Sequence, residues 1–200
     1  MPFHHLVSKV GFQIYIDNPM PTSTDYMTDY GVWIDNITIT LQKDGLITGA
    51  TTYTATNAQG LLNGIWGGTT TTSAEHTILF HNAYNDASEQ NLHEHLSPET
   101  AFDLTKDKTL QQIPQEGVKI HVVMDIHTNH ILPTETQFHY DSWLSFDKTN
   151  TTGDLFTWLP DYRYIYRLHI PNLHGHEIEL QTCEILPWDD VQTSDIQIEL

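Results

Sequence analysis

The sequence predicts an all-β protein: an antiparallel β-sandwich of Greek-key, transthyretin-like or immunoglobulin-like form with at most one short helix. Three observations predict it. Apolar residues recur at every second position in several separate stretches, the period of a strand with one buried face. Turn-forming residues divide the chain about every 8–12 residues, the spacing of short antiparallel strands. There is no heptad repeat and no alternation of strand with helix patterns, which argues against coiled coils and parallel α/β folds.

The elements follow in chain order. From Leu6 to Ile16 the apolar set is Leu6, Val10, Phe12, Ile14 and Ile16, with His5, Lys9, Gln13 and Tyr15 opposite. Asp17 to Tyr30 holds two prolines and several turn formers, so it reads as an irregular connection. Ile37, Ile39 and Leu41 share a face, and Asp44-Gly45 predicts a two-residue hairpin turn after them. Strands are expected at 61–66 and 77–81, with Gly67 to Ser73, "GGTTTTS", as the loop between. The one helix candidate is Asp86–Leu96, where Asp86 and Glu89 fit a capping box and Pro98 stops the run. Val118, Ile120, Val122, Met124 and Ile126 form another one-sided strand. Strands at 138–146 and 178–186 flank the clearest one, Tyr162 to Ile170. There Tyr162, Tyr164, Tyr166, Leu168 and Ile170 line one face, and Arg163, Ile165, Arg167 and His169 the other. A Pro187-Trp188-Asp189-Asp190 corner follows. The alternation then resumes through Asp195, Ile196, Gln197, Ile198, Glu199 and Leu200 as a last, edge-like strand. No Pro/Ser/Gly linker divides the chain, so residues 1–200 read as a single domain, able to stand alone or within a longer protein.

Composition narrows the function classes. With 26 acidic and 8 basic residues the net charge is −18. Such a chain repels nucleic acid and anionic membranes, so neither is an expected partner. No apolar run is long enough to span a bilayer, and residues 1–13 contain no signal-peptide core. That pattern suits a cytoplasmic protein or a mature or trimmed one. The single cysteine, Cys183, excludes an intrachain disulfide. It reads as a small half-buried residue on the face opposite Ile178 and Leu180.

No set of residues points to catalysis or to a cofactor. His174 and His176, His93 and His95, and His127 and His130 have spacings that suit zinc or copper. A closed site needs three or four ligands, and no cluster supplies them by spacing. G-x-S-x-G is absent, and Cys183 has no histidine at an activating spacing. Asp189 and Asp190 are adjacent, so in a strand they would face opposite ways and they read as turn-forming. Gly67-Gly68 is followed by threonines, without the lysine of a phosphate loop. Trp33, Trp66, Trp143, Trp158 and Trp188 could form a sugar-stacking platform, and each also suits a core or corner position. The expectation is a non-enzyme without metal or cofactor.

Three segments together resemble the fimbrillin-like fimbrial and surface adhesion proteins of Bacteroidales. They are "FHHLVSKVGFQIYI" (Phe3 to Ile16), "FTWLPDYRYIYRLHI" (Phe156 to Ile170) and "CEILPWDDV" (Cys183 to Val191). The resemblance implies β-sandwich domains, export to the cell surface on an outer-membrane-anchored fimbrium, and no enzyme activity. It implies assembly in which a strand of one subunit completes the sheet of the next, which is β-augmentation of an unpaired edge. The implied partners are other fimbrial subunits or further copies of the chain, with host or bacterial surface glycans or proteins as ligands. On this reading Asp195 to Leu200 is the assembly strand. The sequence departs from the pattern in two ways: it has no lipobox cysteine, and its only arginines are Arg163 and Arg167.

Overall fold

The computed structural model describes residues 6–17, 32–55, 64–79, 97–105, 110–128, 137–172 and 177–187. Nine strands account for most of them. In chain order they are β1 (Ser8–Ile16), β2 (Val32–Ala55), β3 (Gly64–Leu79), β4 (Phe102–Asp103), β5 (Leu110–Gln112), β6 (Lys119–Thr128), β7 (Gln137–Trp143), β8 (Tyr162–Ile170) and β9 (Glu179–Pro187). The only helical element among the described residues is a single 3₁₀ turn, Pro98–Thr100. The expected helix at Asp86–Leu96 lies outside the described residues, as do His93, His95, His130, His174, His176, Trp188, Asp189, Asp190 and the tail from Asp195 to Leu200. Among the described residues no helix is long and apolar enough to cross a membrane.

The strands form two sheets. One runs β4-β1-β8-β9, with β5 also on β1; the other runs β3-β2-β6-β7. The alternation read from the sequence decides which faces meet. Val10, Phe12, Ile14 and Ile16 from β1 and Tyr164, Tyr166, Leu168 and Ile170 from β8 are buried in one sheet. Ile37, Ile39 and Leu41 from β2, and Val118, Ile120, Val122, Met124 and Ile126 on or beside β6, are buried in the other. All belong to one continuous core, so the sheets pack face to face as a sandwich. Phe156 and Trp158, on the approach to β8, add their rings to the same core.

The pairing is antiparallel with one exception. β1 and β8 run parallel over an unbroken register from Lys9↔Arg163 to Ile16↔Ile170. No tight turn joins these two strands, so nothing local imposes the antiparallel direction.

Three local expectations are corrected. Asp44-Gly45 makes no hairpin turn, because β2 continues through it to Ala55. Gly45 takes the positive φ of 71° that the dipeptide signals. It spends that conformation in a bulge, where β2 residues 43–45 stand against Thr72 alone. "GGTTTTS" is no loop either: the strands expected at 61–66 and 77–81 fall in or beside a single strand, β3. Threonine is β-branched and suits a pleated sheet, and each of Thr69 to Thr71 has a partner on β2. Cys183 sits on the same face as Leu180. The register passes from Leu168↔Leu180 to Arg167↔Thr182 and Tyr166↔Cys183, leaving Gln181 as an extra residue. One bulge residue reverses the phase of a period-two strand, so Cys183 turns toward the core.

Candidate functional site

A cleft of about 300 Å³ lies among the described residues, where the outer edges of the two sheets face each other. Its walls are β7 with the loop after it, and the start of β9. Asp141, Trp143, Lys148, Asn150, Glu177 and Glu179 supply its chemistry.

The loop at 144–154 is held by its own polar side chains. Ser145 Oγ and Asn150 Nδ2 donate to Asp154 Oδ1, each at 2.9 Å, and Phe146 N donates to Oδ2 at 2.8 Å. Asp147 accepts from Thr149 N and Oγ1, and Asn150 accepts from Thr152 N and Oγ1. Gly153 closes the loop at φ 79°, where any Cβ would stand 3.1 Å from Cβ of Trp143. Burial works to raise the Asp154 pKa, but its three hydrogen bonds outweigh that and hold the carboxyl below the ordinary range.

Behind the cleft lies a clamp on β8. The His169 ring places Nδ1 3.0 Å from Glu179 Oε2 on β9 and Nε2 2.9 Å from Asp17 Oδ1 just past β1. Tyr15 stacks on the ring with centroids 4.6 Å apart. Gln181 Nε2 donates to Glu179 Oε2 at 2.8 Å, and Lys148 Nζ pairs with Glu179 Oε1. Glu179 therefore meets Lys148 at the cleft with one oxygen and His169 and Gln181 with the other. Burial acts to raise its pKa, yet hydrogen bonds from Lys148 and His169 hold it below the ordinary carboxylate range. The outer face of β6 and β7 carries two more such pairs, His121 with Asp141 at 2.6 Å and His139 with Asp125 at 2.8 Å. Trp143 stacks on His121, centroids 4.5 Å apart.

Among the described side chains, Trp66, Trp143 and Trp158 do not form a platform. Trp158 is buried, Trp66 is half-buried beside Tyr53 with centroids 4.8 Å apart, and Trp143 is half-buried at the cleft. Trp66 is on β3 and Trp143 on β7, the two opposite margins of one sheet. Among the described residues no three His, Cys, Asp or Glu side chains converge as metal ligands. Cys183 is held in its thiol form: burial pushes its pKa up to about 11, against a hydrogen bond from Tyr166 that lowers it. The predicted assembly residues, Asp195 to Leu200, lie outside the described residues. The cleft and the His169 clamp were not read from the sequence. The available signal was His169 itself, an imidazole on the outward face of a strand beginning the last hairpin.

No family model matches this sequence, and no curated protein matches it. Among solved structures it is similar to a protein of Bacteroides uniformis described only provisionally as a cell adhesion protein. The identity is 16% and the TM-score 0.39, over 94% of this chain and 52% of that one. The chain thus spans about half the length of that structure.

Proposed function

We propose that this chain is a non-catalytic surface subunit, of fimbrial or adhesion type, that assembles by strand complementation. One observation carries the reading. The three segments that resemble fimbrillin-like proteins contain or contribute to β1, β8 and β9, three neighbouring strands of a single sheet. β9 is the margin of that sheet and runs directly into the segment that ends in the alternating Asp195–Leu200. A strand that leaves from a sheet edge is suited to reach the edge of a neighbouring subunit. Its partners are other fimbrial subunits or further copies of itself, and its location is the cell surface. Deleting residues 195–200 is expected to abolish filaments in negative-stain micrographs while the thermal midpoint stays near that of the full chain. Filaments from the truncated protein that match those of the full chain would sink the reading.

A second reading is a carbohydrate-binding module, favoured by the cleft at Trp143. An indole beside Asp141, Asn150 and Lys148 combines a stacking surface with groups that bond hydroxyls. A glycan array would then return a hit that Trp143→Ala abolishes and Trp66→Ala leaves intact. No hit on a broad array, or a hit that survives Trp143→Ala, counts against it.

A further inference from the structure

The His169 ring meets more hydrogen-bonding groups than it can serve in one protonation state. Nε2 lies 2.9 Å from Asp17 Oδ1. Nδ1 has two neighbours, Glu179 Oε2 at 3.0 Å and Gln181 Nε2 at 3.2 Å. A carboxylate accepts and an amide NH₂ donates, so these two demand opposite roles of Nδ1. With two protons the ring donates from Nδ1 to Glu179 and from Nε2 to Asp17, and the Gln181 amide serves Glu179 alone, at 2.8 Å. With one proton it donates once. Placed on Nε2, that proton keeps Asp17, and the Nδ1 lone pair takes the second N–H of Gln181. Placed on Nδ1, it would set the Nε2 lone pair against the Asp17 carboxylate. The bond made at one ring nitrogen decides the state of the other, so the singly protonated ring carries its hydrogen on Nε2.

Both states satisfy the ring, and they differ at Glu179. In the second state Glu179 Oε2 faces a lone pair instead of an N–H, and its remaining partners are Gln181 and, through Oε1, Lys148. The groups around the ring come from every described element packed there. Tyr15 and Asp17 belong to β1 and its end, Glu179 and Gln181 to β9, with Lys148 behind Glu179. Arg167 on β8 and Glu99 on the 3₁₀ turn act on Tyr15. Burial first, then Asp17 and Glu179, hold the Tyr15 pKa above its ordinary value, so the phenol stays neutral. Despite its burial, Glu179 is held below the ordinary carboxylate range by Lys148 and His169, so it is ionised. Imidazole is the side chain that ordinarily changes charge around neutral pH.

We propose that His169 is a proton switch on the wall of the cleft: doubly protonated it holds Asp17 and Glu179 together, and singly protonated it keeps Asp17, turns to Gln181 and releases Glu179 to Lys148. The proton lost from Nδ1 passes to water. Glu179 and Lys148 both line the cleft, so the shape and charge of its wall follow the ring. Asp17 is held in both states, so the end of β1 stays fixed while the start of β9 responds. The switch is independent of what the cleft binds and of the adhesion reading.

Nuclear magnetic resonance of the isotope-labelled full chain tests it, across the range in which the ring's own nitrogen shifts report its change of charge. The neutral ring is expected as the Nε2–H tautomer, with a through-hydrogen-bond coupling from Gln181 Nε2 to His169 Nδ1 that vanishes on protonation. Nuclear Overhauser contacts from the ring to Glu179 should weaken on deprotonation, while those to Asp17 persist. These readouts need no variant. Gln181 is exposed, so Gln181→Met should leave the fold intact. It removes the alternative donor, so the Nδ1–H tautomer should become populated and the Glu179 contact should survive deprotonation. His121 pairs with Asp141 on another wall of the cleft. His121→Gln should leave the Glu179 response unchanged. A neutral ring protonated on Nδ1 in the unmodified chain, ring contacts to Glu179 that stay constant through the titration, or a Glu179 response lost in His121→Gln would each overturn the proposal.

Discussion

Trp158→Ala is expected to destabilise the fold by about 3–5 kcal/mol, the range for removing a large buried aromatic. The indole is 1% exposed, and its Nε1 donates to Tyr166 Oη at 2.9 Å inside the core. Tyr166 is equally buried, stacks on Phe12 at 5.5 Å and meets Phe156 edge-on at 5.1 Å. Truncation therefore opens a cavity and also removes the phenol's indole partner. Burial is the main cause that raises the Tyr166 pKa, so the phenol stays neutral and cannot recover the loss by ionising. Trp158→Phe keeps most of the packing and loses the N–H, so it should cost about 1–3 kcal/mol. For a chain of this size the alanine variant should melt roughly 6–20 °C lower. Urea unfolding of both variants checks the ordering. An alanine cost no larger than the phenylalanine cost would mean that the indole volume is not what the core depends on.

The second large effect is at the clamp. His169→Ala is expected to cost about 2–3 kcal/mol, below the 3–5 kcal/mol typical of breaking a buried pair. The discount comes from geometry. The His169 and Glu179 side chains are 11% and 10% exposed, but that of Asp17 is 58% exposed and recovers solvation when the ring is removed. The effect should depend on pH in a defined direction. The folded Glu179 pKa lies below its ordinary value, so its contribution is complete above the ordinary carboxylate pKa of about 4.3. It is lost as pH falls through the folded value. His169→Ala removes one of the two partners that hold it there, so the variant should lose less stability than the unmodified chain below about pH 4. Urea midpoints measured across that range test it. Parallel pH curves would show that His169 does not hold the Glu179 carboxylate.

The sandwich was legible because period two marks a buried face in any strand. Val10, Phe12, Ile14 and Ile16 on β1, Ile120 to Ile126 at alternate positions on β6, and Tyr164, Tyr166, Leu168 and Ile170 on β8 are buried as alternation selects, but Tyr162 is exposed, and Tyr15, Ile165 and His169 on the opposite faces are buried as well. What was misread depends on partners far away in sequence. Asp44-Gly45 signals a positive φ, and a positive φ serves a bulge as well as a turn. Only the opposing strand, Ser73 to Thr71, decides between them. Cys183 was assigned to the wrong face because one extra residue, Gln181, reverses every position beyond it. The cleft was illegible for a related reason. Lys148 and Glu179, or Asp17 and His169, meet only after both sheets have formed, and no spacing in the chain anticipates that.

The parallel seam between β1 and β8 also governs when the protein can fold. Gln13 and Arg167, which bond across it, are separated by 154 positions. At a synthesis rate of about 5–20 residues per second, β1 waits roughly 8–30 s for the strand that flanks it. Through that interval its apolar row, Val10, Phe12, Ile14 and Ile16, has no permanent cover along that side. Contacts this remote in sequence make folding slow. The nascent chain therefore carries β1 with that side uncovered until β8 has been made, and this is the interval in which its apolar row is open to wrong partners.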